Sequence, residues 1–181
     1  MSIFVALLRG INVGGKHLLP MADLRAVCEG LGWSRVVTHI QSGNVVFYAH
    51  GAEADLASSL AHALETRLGF RVPVIVRPGA SLTGTLAANP FAIAGEDASL
   101  CFVALLSSAP SPERVEKLDP TRSPPDRFIV VGSDVFLHLP NGAARTKLTV
   151  DWLERQLGGV ATIRNLRTLA ALADLAVTQP T

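Results

Sequence analysis

RVVTHIQSGNVVFY, Arg35 to Tyr48, is the stretch on which the fold of this chain turns. Two β-rich runs, Arg35 to Gln41 and Asn44 to Tyr48, flank Ser42-Gly43. A pair of apolar runs about a glycine turn reads as a hairpin. On its upstream side Pro20 suits a helix start, and Leu24, Val27, Cys28 and Leu31 form a helical stripe that Gly32 ends. Before that helix, Ile3 to Leu8 is an apolar run that reads as a buried strand. Downstream, Leu56, Leu60, Leu64 and Leu68 recur every fourth residue and predict a second helix closed by Gly69. Val72 to Val76 follows as a strand, with Pro73 marking a strand start or an edge.

The order is β-α-β-β-α-β, the ferredoxin-like plan of a four-stranded antiparallel sheet with helices on one face. It recurs in the second half. A short helix near Leu82 to Ala88 precedes a strand, Leu100 to Leu106, and a brief helix, Glu113 to Leu118. A hairpin runs from Phe128 to Leu139 about Gly132-Ser133-Asp134. Thr149 caps a helix to Leu157, Val160 to Ile163 is a last strand, and Leu166 to Ala176 a closing helix. Only the order of elements repeats visibly. The chain is therefore expected to be α+β: a first subdomain over 1–78, a connecting helix and loop over 79–98, and a second subdomain over 99–181. Ser107 to Arg127 carries five prolines and reads as a long, partly extended loop.

The 181 residues are about half apolar, enough for a self-supporting core. Sixteen Lys plus Arg against fifteen Asp plus Glu leave a net charge of +1, so no whole-protein field points to nucleic acid or membrane. The two cysteines, Cys28 and Cys101, sit in apolar runs and read as small buried hydrophobes. No CxxC pair, no metal-ligand spacing among the five histidines and no apolar run near ~20 residues occurs. The expectation is a cytoplasmic protein with no metal and no cofactor.

Three segments carry candidate chemistry. The first is Arg9-Gly10-Ile11-Asn12-Val13-Gly14-Gly15-Lys16, which leaves the first strand. Clustered glycines answer either a tight turn or a ligand's close approach to the backbone. The spacing from Gly10 meets the phosphate-loop pattern GxxxxGK[ST] until its last position, where His17 replaces the hydroxyl residue. The helix also starts too late, at Pro20, to face a phosphate held by that loop. What survives is an anion-binding concavity of backbone N–H groups beside Arg9 and Lys16. The second segment is Gln41-Ser42-Gly43-Asn44. In a βαββαβ sheet the end of the first strand and the start of the third share an edge, which brings Arg9 near Asn44. The third is the late series Arg145-Thr146-Lys147 with Arg164-Asn165, either a solvated basic face or cations lent to a cleft.

Asn89-Pro90-Phe91 reads as a turn before an irregular loop, and Trp33 and Trp152 as packing anchors. The sheet plan is shared with RNA-recognition motifs, but Asn44 and Val46 stand where stacking aromatics belong, which disfavours nucleic acid. No nucleophile and no acid–base pair stands out.

ALLRGINVGGK (Ala6 to Lys16), MADLRAV (Met21 to Val27), THIQSGNVVF (Thr38 to Phe47), VIVRP (Val74 to Pro78), NPF (Asn89 to Phe91) and the series from Arg145 to Asn165 follow one another over nearly the whole chain. In them the chain resembles the bacterial family known as domain of unknown function 1697. The resemblance implies a pair of α+β subdomains and no established activity. It also implies a Trp after the Arg-Asn pair, where this chain has Leu166. Together these readings predict a small anionic ligand, a nucleotide or phosphorylated metabolite, in a cleft between the subdomains. Its expected contacts are Arg9, Gly10, Asn12, Gly14, Gly15, Lys16, Gln41, Ser42, Asn44, Arg145, Lys147, Arg164 and Asn165. The alternative is a non-catalytic module that binds protein or RNA.

Overall fold

The structure is a computed structural model that describes residues 1–178. It divides into two compact units, Met1–Thr83 with the chain from Ala171 onward, and Gly84–Ala170. The second boundary thus falls inside the closing helix, whereas the sequence grouped 99–181 together; residues 179–181 of that span lie outside the described residues.

The first unit contains β1 (Ser2–Leu8), α1 (Met21–Gly30), β2 (Ser34–His39), β3 (Asn44–Ala49), α2 (Glu53–Leu68) and β4 (Val74–Pro78). Its antiparallel strands run β2-β3-β1-β4. Side chains alternate across β1, so Phe4, Ala6 and Leu8 face the helices. They pack with Val45, Phe47 and Ala49 of β3 and with Leu24, Cys28, Leu56, Leu60 and Leu64 of the helices. Burial pushes the Cys28 thiol up to about 12, which leaves it an inert core atom. The four-residue leucine spacing thus does what its period demands, and α2 stops where Gly69 turns left-handed at φ 75°. Trp33 stacks almost parallel on Phe47, ring centroids 3.8 Å apart. Pro73 lies just before β4, an edge strand, where its missing N–H costs no ladder bond.

The second unit repeats this plan with β5 (Cys101–Leu106), α5 (Pro112–Glu116), β6 (Arg127–Val131), β7 (Asp134–His138), α6 (Val150–Leu157) and β8 (Ala161–Asn165), in the order β6-β7-β5-β8. Ala104, Leu106, Val135 and Leu137 pack there with Trp152, Leu153 and Leu157. Thr149 caps α6 by accepting from the Trp152 N–H at 3.2 Å. The partition between the units runs through α3 (Gly79–Ala87) and α7 (Leu166–Thr178).

The two sheets agree in register down to single bonds. Leu8 N donates to Gly43 O and Leu106 N to Ser133 O, both at 2.8 Å. Arg9 N donates to Pro73 O, and Ser107 N to Val160 O. Arg77 lies across from Val5 on β1, as Arg164 lies across from Val103 on β5. The halves therefore repeat at residue level in space, although their sequences show only a repeated order.

Asn89-Pro90-Phe91 is not a simple turn. It opens a short helix, α4 (Pro90–Ile93), because Asn89 Oδ1 accepts from the Phe91 and Ala92 N–H groups and Pro90 supplies a helical φ without an N–H to satisfy. The brief helix expected at Glu113 to Leu118 is present as α5, which interrupts the proline-rich stretch one residue earlier than expected.

Candidate functional site

The glycine-rich loop leaves β1 at an edge where three segments meet: residues 9–20, 39–44 and 69–74. The register brings this about. Leu7 pairs with Asn44, Gly43 accepts from Leu8, and Pro73 accepts from Arg9. The adjacency of the Arg9 and Asn44 segments expected from topology is therefore present.

Within the loop, Lys16 N donates to Val13 O at 3.1 Å, with Gly14 and Gly15 at φ 59° and 73°. Two central residues of positive φ under such a bond make a I′-type turn, which explains both glycines. A Cβ on Gly14 or Gly15 would meet nothing within 4 Å, so backbone conformation, and no neighbouring atom, selects glycine there. Asn12 N donates to His17 O at 3.1 Å, making residues 12–17 a small hairpin. Its base is tied by the Asn12 side chain. Oδ1 accepts from Leu19 N at 2.8 Å, while Nδ2 donates to Leu19 O at 2.9 Å and to Gln41 O at 2.8 Å. Asn12 therefore braces one loop against another.

Asn44 is fully buried, and its Nδ2 donates to His39 O at 3.0 Å and Ser42 Oγ at 2.9 Å. It holds the β2–β3 turn. Arg9 is half-buried, with Nη1 shut off from solvent, so its guanidinium is seated in the edge. Gly10, Lys16 and Gln41 are exposed.

Sequence reasoning missed two members of this edge. His17 lies flat on Phe70, centroids 4.4 Å apart at 24°, and its Nδ1 is 3.1 Å from Gly10 O. Arg71 is exposed beside Phe70. Only the fold reveals both, because the loop after α2 is brought to the loop after β1. Neither Lys16 nor Arg71 has an ion-pair partner among the described residues. The three segments also contain no Asp or Glu, while they hold Arg9, Lys16, Arg71, His17 and His39. A chain of almost balanced charge thus concentrates cations here.

The late basic residues belong to the second unit. Arg145 is exposed in a turn, its N–H donating to Gly142 O, and the Lys147 N–H donates to Ser123 Oγ at 2.9 Å. Arg164 is buried; Nη1 donates to Thr162 Oγ1 at 2.7 Å and to Ile163 O at 2.9 Å, and burial pushes its guanidinium down to about 10. It remains a cation at neutral pH. Asn165 Oδ1 caps α7 by accepting from Thr168 N at 2.7 Å.

A second polar cluster was not legible in sequence. Glu96, just after α4, pairs with Arg127 and faces His138 Nε2 at 3.4 Å. Arg127 Nη2 is 3.1 Å from His138 Nδ1 and its guanidinium lies over Phe91. Arginine only donates, so His138 Nδ1 accepts and Nε2 carries the proton toward Glu96. The hydrogen bond from Arg127, with the Arg127 charge behind it, holds the Glu96 carboxyl below the usual glutamate range. A carboxylate with a depressed folded-state pKa stabilises the fold above its unfolded value, and the gain is lost as pH falls through the folded value. Thermal midpoints of wild type and Glu96→Gln are thus expected to differ at pH 6 and to converge toward pH 3. A gap that stays constant over this range would contradict the ionic tie.

Among the described residues no helix is long and apolar enough to cross a membrane, and no group of three or more His, Cys, Asp and Glu is placed to hold a metal ion. Trp33 and Trp152 are both buried in their cores.

The chain is similar in structure to the conserved bacterial protein SP0830 from Streptococcus pneumoniae, with a TM-score of 0.74 over 97% of this chain and 98% of that one. The sequence identity is 22%, so the likeness concerns the fold. No curated protein matches the chain. The family model described as "Protein of unknown function (DUF1697)" matches residues 1–136, three-quarters of the chain, and the chain belongs to that family.

Proposed function

We propose that this protein binds a small anionic ligand, a phosphate or carboxylate bearer, at the loop edge of its first unit. One observation carries the reading: the three segments that meet there hold three formal cations and no carboxylate, in a chain whose net charge is +1. The two exposed cations among them, Lys16 and Arg71, have no ion-pair partner among the described residues, so their field is open to an incoming anion. Lys16 and Arg71 are the exposed cations that would meet the anion, with Arg9 seated behind them. Gln41 is the exposed amide that would orient the ligand. Asn12 and Asn44 support the loops and leave contact with the ligand to others. Arg145, Lys147 and Arg164 have no part in this reading, which stands on the first unit alone.

The test is thermal unfolding against nucleotides, sugar phosphates and di- and tricarboxylates. A ligand at a hundred times its Kd stabilises by about 2.7 kcal/mol. The shift is expected to vanish in Lys16→Ala and Arg71→Ala, which lie on the surface and leave the apo midpoint unchanged. A panel without any shift would sink the reading.

Protein binding is the second reading, because Val13, Leu18 and Ile40 stand 68%, 65% and 51% exposed on the same loops.

A further inference from the structure

We infer that His17 is a ligand-contacting residue of this edge, and that its protonation adds a cation to the site without disturbing the loop that presents it. The inference rests on the anion-binding reading above and assigns it a residue and a pH dependence.

The argument begins with the hydrogen bond to Gly10. A carbonyl oxygen only accepts, so Nδ1, 3.1 Å away, must carry the proton of the neutral ring. Nε2 is then the basic nitrogen. It has no hydrogen-bond or ion-pair partner among the described residues. One face of the ring lies on Phe70 and Nδ1 is tied to the loop backbone, which leaves Nε2 as the outward nitrogen. His17 itself is exposed, and Lys16 precedes it. The structure therefore presents an imidazole nitrogen without a protein partner at the loop edge that also carries Lys16 and Arg71.

Protonation normally costs a histidine one of its hydrogen bonds when the ring nitrogen that gains the proton was accepting. Here the proton goes to the unoccupied Nε2, while the Nδ1 donation to Gly10 O persists and becomes charge-assisted. The groups that face the ring are the Gly10 carbonyl and the Phe70 ring, and the other charged or titratable residues on the three segments are Arg9, Lys16, Arg71 and His39. No carboxylate in these segments would neutralise the new charge internally. An imidazolium there is answered best by a bound anion. Anion affinity is therefore expected to rise on acidification.

Inorganic sulfate is the right probe, because it stays dianionic across the pH range of the test and any pH effect belongs to the protein. Sulfate binding would be followed by NMR chemical-shift titration at pH 8 and pH 5.5, on wild type, His17→Asn and Lys16→Ala. Asn is neutral and tolerates the left-handed backbone that His17 adopts, φ 51°, so the loop survives the change. Wild type is expected to bind roughly three- to tenfold more tightly at pH 5.5, the order set by one charge added about 5 Å from a dianion in screened water. His17→Asn is expected to bind as wild type does at pH 8 and to lose the acid gain. Lys16→Ala is expected to weaken binding at both pH values. Nitrogen shifts of the His17 ring at pH 8 should report the Nδ1–H tautomer. Equal wild-type affinity at both pH values, or an acid gain that survives in His17→Asn, overturns the assignment of His17 and leaves the anion site standing. Absence of sulfate binding at either pH overturns both.

Discussion

Gly43→Ala is expected to lower the thermal midpoint of the first unit by roughly 5–15 °C, far more than Gly14→Ala. Both glycines have positive φ, 74° and 59°, so both substitutions incur the left-handed penalty of about 1–2 kcal/mol. Their surroundings differ. A Cβ on Gly43 would lie 2.7 Å from Leu8 Cβ and 2.7 Å from Ile11 Cδ1, and nothing lies within 4 Å of one on Gly14. Leu8 and Ile11 are buried at 1% and 2% exposure and cannot retreat. Overpacking of this kind adds about 1–3 kcal/mol, and for a protein of this size each kcal/mol moves the midpoint by roughly 2–4 °C. Gly43 also accepts the bond that closes the end of β1, so the same substitution should displace the loop edge. Differential scanning calorimetry of the two variants decides the matter. Equal losses would mean that backbone strain alone explains Gly43.

Phe47→Ala is expected to cost about 3–5 kcal/mol, the range for a buried aromatic ring removed from a core. Phe47 has no exposed surface. It stacks on Trp33, nearly parallel at 3.8 Å, and on Phe4, with centroids 5.9 Å apart. Its removal opens a void that neither neighbour can fill without leaving its own rotamer. Urea unfolding followed by tryptophan fluorescence measures both the loss and the change around Trp33. A loss under about 1 kcal/mol would show that the site collapses freely. The two substitutions attack the unit from different sides, Phe47 at the centre of its core and Gly43 at the turn that leads into β3.

Most of this architecture is readable from periodicity. Leu56, Leu60 and Leu64 announce α2, and the glycine at its end announces its stop. The runs on either side of Ser42-Gly43 announce the hairpin. Short elements are harder: α4 has too few residues to display a period, and only its Asn-Pro opening hints at it. The duplication is hidden for another reason. Loops of different length separate the paired elements, so Arg77 and Arg164 fall into correspondence only when the strands are laid in register. At the site, the loop is legible and the roles within it are not. The sequence offers Asn12 as a ligand contact and gives no sign that its amide engages Leu19 and Gln41. His17 looks like a failed phosphate-loop residue until Phe70 arrives from a distant segment to stack on it.

The shared register also gives the molecule its own internal control. Residues 9–20 join β1 to α1, and the far shorter 107–111 joins β5 to α5, yet the backbone bonds at both strand ends are the same. The frame is therefore indifferent to what is spliced in at this point. Residues 13–18 behave as a cassette carried by one copy of a twofold-repeated chassis. Ile11 and Leu19, buried in the core, and the Asn12 brace rivet its two ends to that chassis, so stability constrains the ends and leaves the exposed tip to function.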